Sequence, residues 1–144
     1  MKLSTRTRYA VRAMIELAQH DTNRPLQLKI IADRQEISVK YLEQLMAILK
    51  SAGLIKSVRG SKGGYALARG SDQITLSDIL HCVEGPISTV ECVQDGSRCA
   101  RSAECAAREV WKRVEQAIDD VLRSITLLDV ADMASDNRQS DYQI

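Results

Sequence analysis

The chain has 144 residues, the size of one ordinary domain, and a formal net charge of only +1. Hydrophobic residues make up 44%, enough for a core, but there is no Phe and a single Trp, so that core must be aliphatic. No apolar run approaches the ~20 residues that cross a bilayer. The charged start MKLSTRTRYAVR is followed by no apolar segment of signal-peptide type. A cytoplasmic protein is therefore expected, rather than a membrane or secreted one. In that compartment thiols stay reduced, so the four cysteines are expected as ligands or redox centres rather than structural disulfides.

The small net charge hides an asymmetry. Residues 1–70 carry 13 Lys and Arg against 5 Asp and Glu, and residues 71–144 carry 7 against 14. A basic front half can neutralise phosphates and release counterions. The blander alternative, two solvated surfaces, explains an imbalance of this size less well.

Tyr9, Ala10, Ala13, Met14, Leu17 and Ala18 recur at helical spacing and predict a helix over about 5–20. Residues 21–25, DTNRP, are turn chemistry. A short helix follows over about 28–34, then a tight break at Gln35 and Glu36. Ser38 stands where an N-cap should be. Leu42, Leu45, Met46 and Leu49 form the buried stripe of the next helix, and Gly53 ends it. Helix, tight turn, capped helix is the helix-turn-helix layout. Val39, Lys40, Tyr41, Glu43, Gln44 and Lys50 lie near the N-terminal or outer face of the second helix, where side chains can reach bases and phosphates.

Residues 54–58, LIKSV, predict a strand, 59–64 a glycine-rich basic turn, and 65–68 the return strand. A hairpin with a basic tip after a recognition helix makes a winged helix. Arg59 and Lys62 are its DNA-contacting residues, Arg59 suiting a narrow minor groove. A nucleotide-binding loop is the poorer reading, because GSKGG lacks the phosphate-loop spacing and no helix follows. Ser4 and Arg8, in the basic first stretch, complete the set of expected DNA contacts.

Thr75-Leu76-Ser77-Asp78 resembles a capping box and opens a helix over about 76–84. Cys82 is expected as a buried thiol on it, and His81 as a solvated residue facing away. From about Ala103 a long amphipathic pattern begins. Val110, Trp111, Val114, Ile118 and Val121 line its apolar face, which is expected to join two copies of the chain. Thr126 caps one last turn, and residues 133–144 are expected to be a disordered tail.

Cys92, Cys99 and Cys105 fall within a 14-residue polar loop. Thiolates are nucleophiles and soft metal ligands. The gaps are too long for the C-x₂₋₄-C pairs of structural zinc sites, and they favour an iron–sulfur site. Free thiols in a loop remain the bland alternative.

The stretches MKLSTRTRYAVRAMIELA, ISVKYLEQLMAILKSAGLIKSVRGSKGGYAL, ITLSDIL, EGPI and SITLLDV resemble one family of small winged-helix regulators. It includes the iron–sulfur assembly regulator IscR, the nitric-oxide sensor NsrR and the cysteine-metabolism regulator CymR. The likeness spans about residues 1–130. It implies a homodimer on double-stranded operator DNA, held by the long helix, with Cys92, Cys99 and Cys105 as ligands of a [2Fe–2S] cluster. It implies DNA contacts at Ser38, Lys40, Tyr41, Gln44 and Arg59. Glu43 matches the position that helps discriminate operator classes. In IscR-like members the cluster-loaded form represses cluster-assembly genes.

Two departures stand out. A histidine that serves as fourth ligand in IscR is replaced here by Arg108, which stays cationic and cannot ligate. An acid from the partner's first helix that serves in other members is replaced by Arg8. The fourth-ligand candidates are His81, Cys82, Glu91, Asp95, Glu104 or a small exogenous ligand. The loop is also one residue longer between its first two cysteines, and Lys40 replaces a smaller residue.

The fold expected is mainly α with a small β-hairpin wing. Residues 1–85 form the winged helix-turn-helix domain, 86–105 the cysteine loop and 106–132 the dimerisation helix with a short terminal helix. The function expected is a DNA-binding regulator, a repressor of cluster-assembly genes, controlled by the cluster. The alternative keeps the DNA reader and makes it a thiol-redox, nitric-oxide or cysteine-metabolism sensor without a stable cluster. No enzymatic site is expected, no membrane and no small-molecule substrate: a thiol oxidoreductase would need C-x-x-C and a βαβ pattern. A pure protein-binding module would leave the basic hairpin without a role.

Overall fold

The computed structural model describes residues 2–20 and 24–141. Helix α1 is Thr5–Gln19, α2 Leu28–Gln35 and α3 Val39–Ser51. Strands β1 Ile55–Val58 and β2 Gly64–Leu67 form an antiparallel hairpin. Then come α4 Leu76–Glu84, the one-turn α5 Glu91–Gln94, α6 Ala106–Ser124 and α7 Leu127–Asp141. The mainly helical fold with a two-stranded wing is the one expected. Of the 21–25 turn, residues 21–23 lie outside the described residues.

The apolar spacings become the core. Ala10, Ala13, Met14 and Leu17 of α1 share one core with Ile31 and Ala32 of α2, Leu42, Met46 and Leu49 of α3, and Ile79 and Val83 of α4; Leu45 of α3 is also buried. Ser38 caps α3, its Oγ accepting from the Tyr41 amide at 3.1 Å. The break between α2 and α3 is made by Glu36, held at φ 54°, a left-handed conformation a non-glycine residue seldom adopts. The capping box at α4 is present in both halves: the Asp78 amide reaches Thr75 Oγ1, and the Thr75 amide reaches Asp78 Oδ2. The wing is pinned to the body where Leu26 pairs with Tyr65. A Cβ on Gly64 would meet the Leu26 carbonyl at 2.3 Å, so only glycine permits that approach.

Two expectations change. The sequence predicts a single last turn and then a disordered tail from 133, yet α7 runs from Leu127 to Asp141; residues 142–144 lie outside the described residues. Thr126 and Asp129 cap its start reciprocally. Leu127 is fully buried, and Ala131 also joins the core against α1. Further along, Gln19 donates to Ala131 O and Ser135 Oγ, each at 3.1 Å, and Arg138 donates to Gln19 Oε1 at 3.0 Å. A polar segment is thus helical because a distant helix supplies its partners. Helix α7 therefore packs against α1 rather than extending α6. The cysteine segment is also less loop-like than expected, holding α5 and a 3₁₀ turn at Gly96–Arg98.

Candidate DNA interface and cysteine loop

The start of α3 presents Lys40, Glu43 and Gln44 to solvent, with Ser38 exposed just before it. Tyr41 is half-buried; its ring meets Tyr9 edge-on at 6.1 Å, and the Arg12 guanidinium lies 5.4 Å from the Tyr9 ring centre. Tyr41 thus anchors α3 to α1 as well as standing at the candidate interface. Arg59 and Lys62 are exposed on the wing, and Arg8 is exposed on α1. Among the described residues, Lys40, Arg59, Lys62 and Arg8 are in no ion pair. Their charge is available to a polyanion.

Ser4 is already engaged. Its Oγ accepts from the Thr7 amide at 3.1 Å as the cap of α1, and its hydroxyl, with that of Thr7, donates to the Glu84 carboxylate. These bonds hold Glu84 below the usual carboxylate range, the Ser4 hydroxyl being the largest cause and that of Thr7 the next. The tie joins the head of α1 to the end of α4. Nothing in the spacing of residues 4, 7 and 84 signals it.

The three loop cysteines stand on three different pieces of structure. Cys92 is half-buried on α5, Cys99 is exposed after the 3₁₀ turn, and Cys105 is the half-buried N-cap residue of α6. All are free thiols, and among the described residues no three His, Cys, Asp or Glu side chains are gathered as metal ligands. Three soft thiols suit three positions of a [2Fe–2S] cluster in kind and number. The fourth-ligand candidates sit as follows. Glu91, Asp95 and Glu104 are exposed. Asp95 accepts from the Ser97 amide at 3.0 Å and hydroxyl at 2.6 Å, which holds its carboxyl low. Cys82 packs against the core and donates to Ile79 O at 3.1 Å, and burial pushes its thiol up to about 11. His81 does not face away as expected but toward α6, with its side chain 36% exposed. Its Nδ1 lies 2.9 Å from both Oγ and O of Ser77, and its Nε2 lies 4.0 Å from Asp119 of α6.

Helix α6 inverts the usual amphipathic arrangement. It has no buried residue. The half-buried residues that face its own subunit are mostly polar, with Leu122 among them. Arg108 donates to Cys92 O at 2.7 Å, Glu115 accepts from the Thr89 amide at 2.6 Å, and Asp119 accepts from Ser77 Oγ at 3.0 Å. The apolar stripe faces out: Val110 is 51% exposed, Trp111 41%, Val114 38% and Val121 57%. Ile118, expected in the same stripe, is half-buried at its edge.

A capped recognition helix, a basic wing and a projecting helix are the architecture of a winged-helix transcription regulator. The sequence matches the Rrf2 family, described as iron-dependent transcriptional regulator, over residues 3–133, and the chain belongs to that family. It is 45% identical over 142 residues to the HTH-type transcriptional regulator CymR of Bacillus subtilis, covering 99% of this chain and 97% of that one. The structure of the B. subtilis global cysteine regulator CymR superposes with a TM-score of 0.79 at 44% identity, covering 92% of this chain and 98% of that one. The structure of T. potens IscR superposes with a TM-score of 0.76 at 42% identity, covering 93% and 88%. These relatives are regulators rather than enzymes, as the sequence leads one to expect. Among the described residues no helix is long and apolar enough to cross a membrane.

Proposed function

We propose that this regulator works as a homodimer on two-fold operator DNA, with the cysteine segment as its sensor. The observation that carries the reading is the outward apolar stripe of α6, Val110, Trp111, Val114 and Val121, beside a cysteine that caps the same helix. Pairing two such stripes removes apolar surface from water and sets the two recognition helices at a fixed separation. Lys40, Tyr41, Glu43 and Gln44, with Ser38 at the helix cap, face base edges and phosphates. Arg59 and Lys62 reach the flanking groove from the wing, and Arg8 adds phosphate contact. Ser4 supports that face through its cap and its tie to Glu84.

Cys92, Cys99 and Cys105 are the residues that would hold a [2Fe–2S] cluster, which when bound supplies a redox- and oxygen-sensitive link between α5 and the head of α6. Cys105 begins α6, so any change in how the segment folds moves the start of the dimer helix. A shift there alters the spacing of the recognition helices against half-sites about one DNA turn apart. Repression of iron–sulfur assembly genes by the loaded form is the regulatory output this predicts. A second reading is favoured by the scattered thiols and by the cationic Arg108 where a fourth ligand would stand. In it the same three cysteines act as a metal-free thiol sensor. The likeness to a protein titled a global cysteine regulator accords with that alternative.

Anaerobic purification decides between them. The cluster reading expects brown protein whose visible absorption, iron and sulfide are lost when Cys92, Cys99 or Cys105 becomes Ala. Colourless protein with full thiol counts after anaerobic reconstitution overturns it and leaves the thiol sensor. In either case Arg59→Ala is expected to weaken operator binding by about 1–3 kcal/mol, read by fluorescence anisotropy at fixed salt. Unchanged affinity would remove the wing from the interface.

A further inference from the structure

Arg108 is half-buried on the first turns of α6, where its neighbours Ala106, Ala107, Glu109 and Val110 are all exposed. Its guanidinium is folded inward against the cysteine segment. Nε donates to the carbonyl of Cys92 at 2.7 Å, and Nη1 to the carbonyl of Ser102 at 3.4 Å. These two carbonyls belong to opposite limbs of the segment, one on α5 and one just before α6. The third nitrogen lies over Gly96, where a Cβ would stand 3.3 Å from Nη2 and 3.4 Å from Ser102 Oγ. Glycine at 96 therefore leaves the room the guanidinium uses. The Ser102 hydroxyl closes the same turn by donating to Gly96 O. One cationic fork thus bridges α5, the 3₁₀ turn and the run into α6, with charge-assisted bonds stronger than neutral ones.

We infer that Arg108 is a clasp: a positioning residue that keeps the cysteine segment folded onto α6 when no metal is bound, and fixes where Cys92 stands relative to Cys105. The inference deepens the reading of this segment as the sensor and rests on it only for its meaning, not for its geometry. A metal-ligating side chain at this position would hold the segment only in the loaded state. Arginine needs no metal to hold it, because its bonds go to backbone carbonyls that no cysteine chemistry consumes. Loss of metal then leaves an ordered segment rather than a slack one. Lysine cannot replace it fully, since a single ammonium lacks the fork that spans two carbonyls.

The test uses the full-length, iron-free protein with reduced thiols. Hydrogen–deuterium exchange is compared for wild type, Arg108→Ala and Arg108→Lys, with α1 and α3 as internal controls of folding. Arg108→Ala is expected to speed amide exchange across residues 92–104 roughly tenfold or more, with Arg108→Lys between the two. Alkylation of Cys92, followed site by site by mass spectrometry, is expected to quicken in the same order while that of Cys82 stays constant. Unchanged exchange and unchanged Cys92 alkylation in Arg108→Ala, with α1 and α3 protected, overturn the clasp. So does a uniform rise over the whole chain that Arg108→Lys fails to reverse. Iron and sulfide counts on the same wild-type protein after reconstitution are read separately. A wild type that takes up no cluster ends the cluster reading while the exchange result still decides the clasp.

Discussion

Glu84 illustrates how much rests on single side chains outside the candidate interface. Its carboxylate accepts the hydroxyls of Ser4 and Thr7 and the Ser4 amide, so it ties α4 to the head of the helix that carries Arg6 and Arg8. Those bonds favour the ionised form and lower its pKa from the ordinary value of 4.5. The stability it adds is therefore complete above that ordinary value and is lost as pH falls through its folded value. Thermal unfolding followed from pH 7 down to pH 3 is expected to show wild type losing more stability than Glu84→Gln. Parallel curves for the two proteins would refute the tie. The side chain is largely exposed, so the difference is expected to be small but of that sign.

At the scale of elements, the helix-turn-helix depends on one unusual backbone position. Glu36 closes α2 in the left-handed region, with its amide bonded back to Asp33 O at 3.3 Å, and the chain then turns sharply into the Ser38 cap. A β-branched side chain tolerates that conformation poorly. Glu36→Val is expected to cost about 1–2 kcal/mol in urea unfolding, whereas Glu36→Gly is expected to be neutral or slightly stabilising. A valine variant as stable as wild type would mean that the turn is free to adopt another shape. Helix α6 makes the contrasting case. It has no fully buried residue; hydrogen bonds through Arg108, Glu115 and Asp119 hold it to its own subunit beside the half-buried Ile118 and Leu122.

For the whole molecule, that arrangement leaves the apolar stripe of α6 exposed among the described residues. Val114 and Val121 lie within it. Val114→Asp combined with Val121→Asp places two charges where a dimer would exclude water, which is costly for unpaired groups. The double variant is expected to run as a monomer by analytical ultracentrifugation while its winged domain stays folded. It is also expected to lose on the order of a hundredfold in operator affinity, because the two half-sites are no longer engaged together. A double variant that remains dimeric would assign the interface elsewhere.

Elements whose information is local could be read directly from the amino-acid order. The 3.6-residue spacing of α1, α3 and α4, the caps at Ser38 and Thr75, and the glycine-rich basic turn each sit within a few positions of their partners. They were legible for that reason, as was the winged-helix class they add up to. So was the chemistry that bars Arg108 from ligating a metal. Tertiary structure alone decided matters in which the partner is far along the chain. Residues 133–141 look like a polar tail until Gln19, more than a hundred positions away, hydrogen-bonds to α7. His81 looks outward-facing until Asp119 arrives on another helix. Arg108 looks like a missing ligand until the carbonyls of Cys92 and Ser102 fold around it. Periodicity reports which face of an element is apolar. It does not say whether that face turns toward its own subunit, and on α6 hydrogen bonds through Arg108, Glu115 and Asp119 turn another side home and leave Val110, Trp111, Val114 and Val121 exposed.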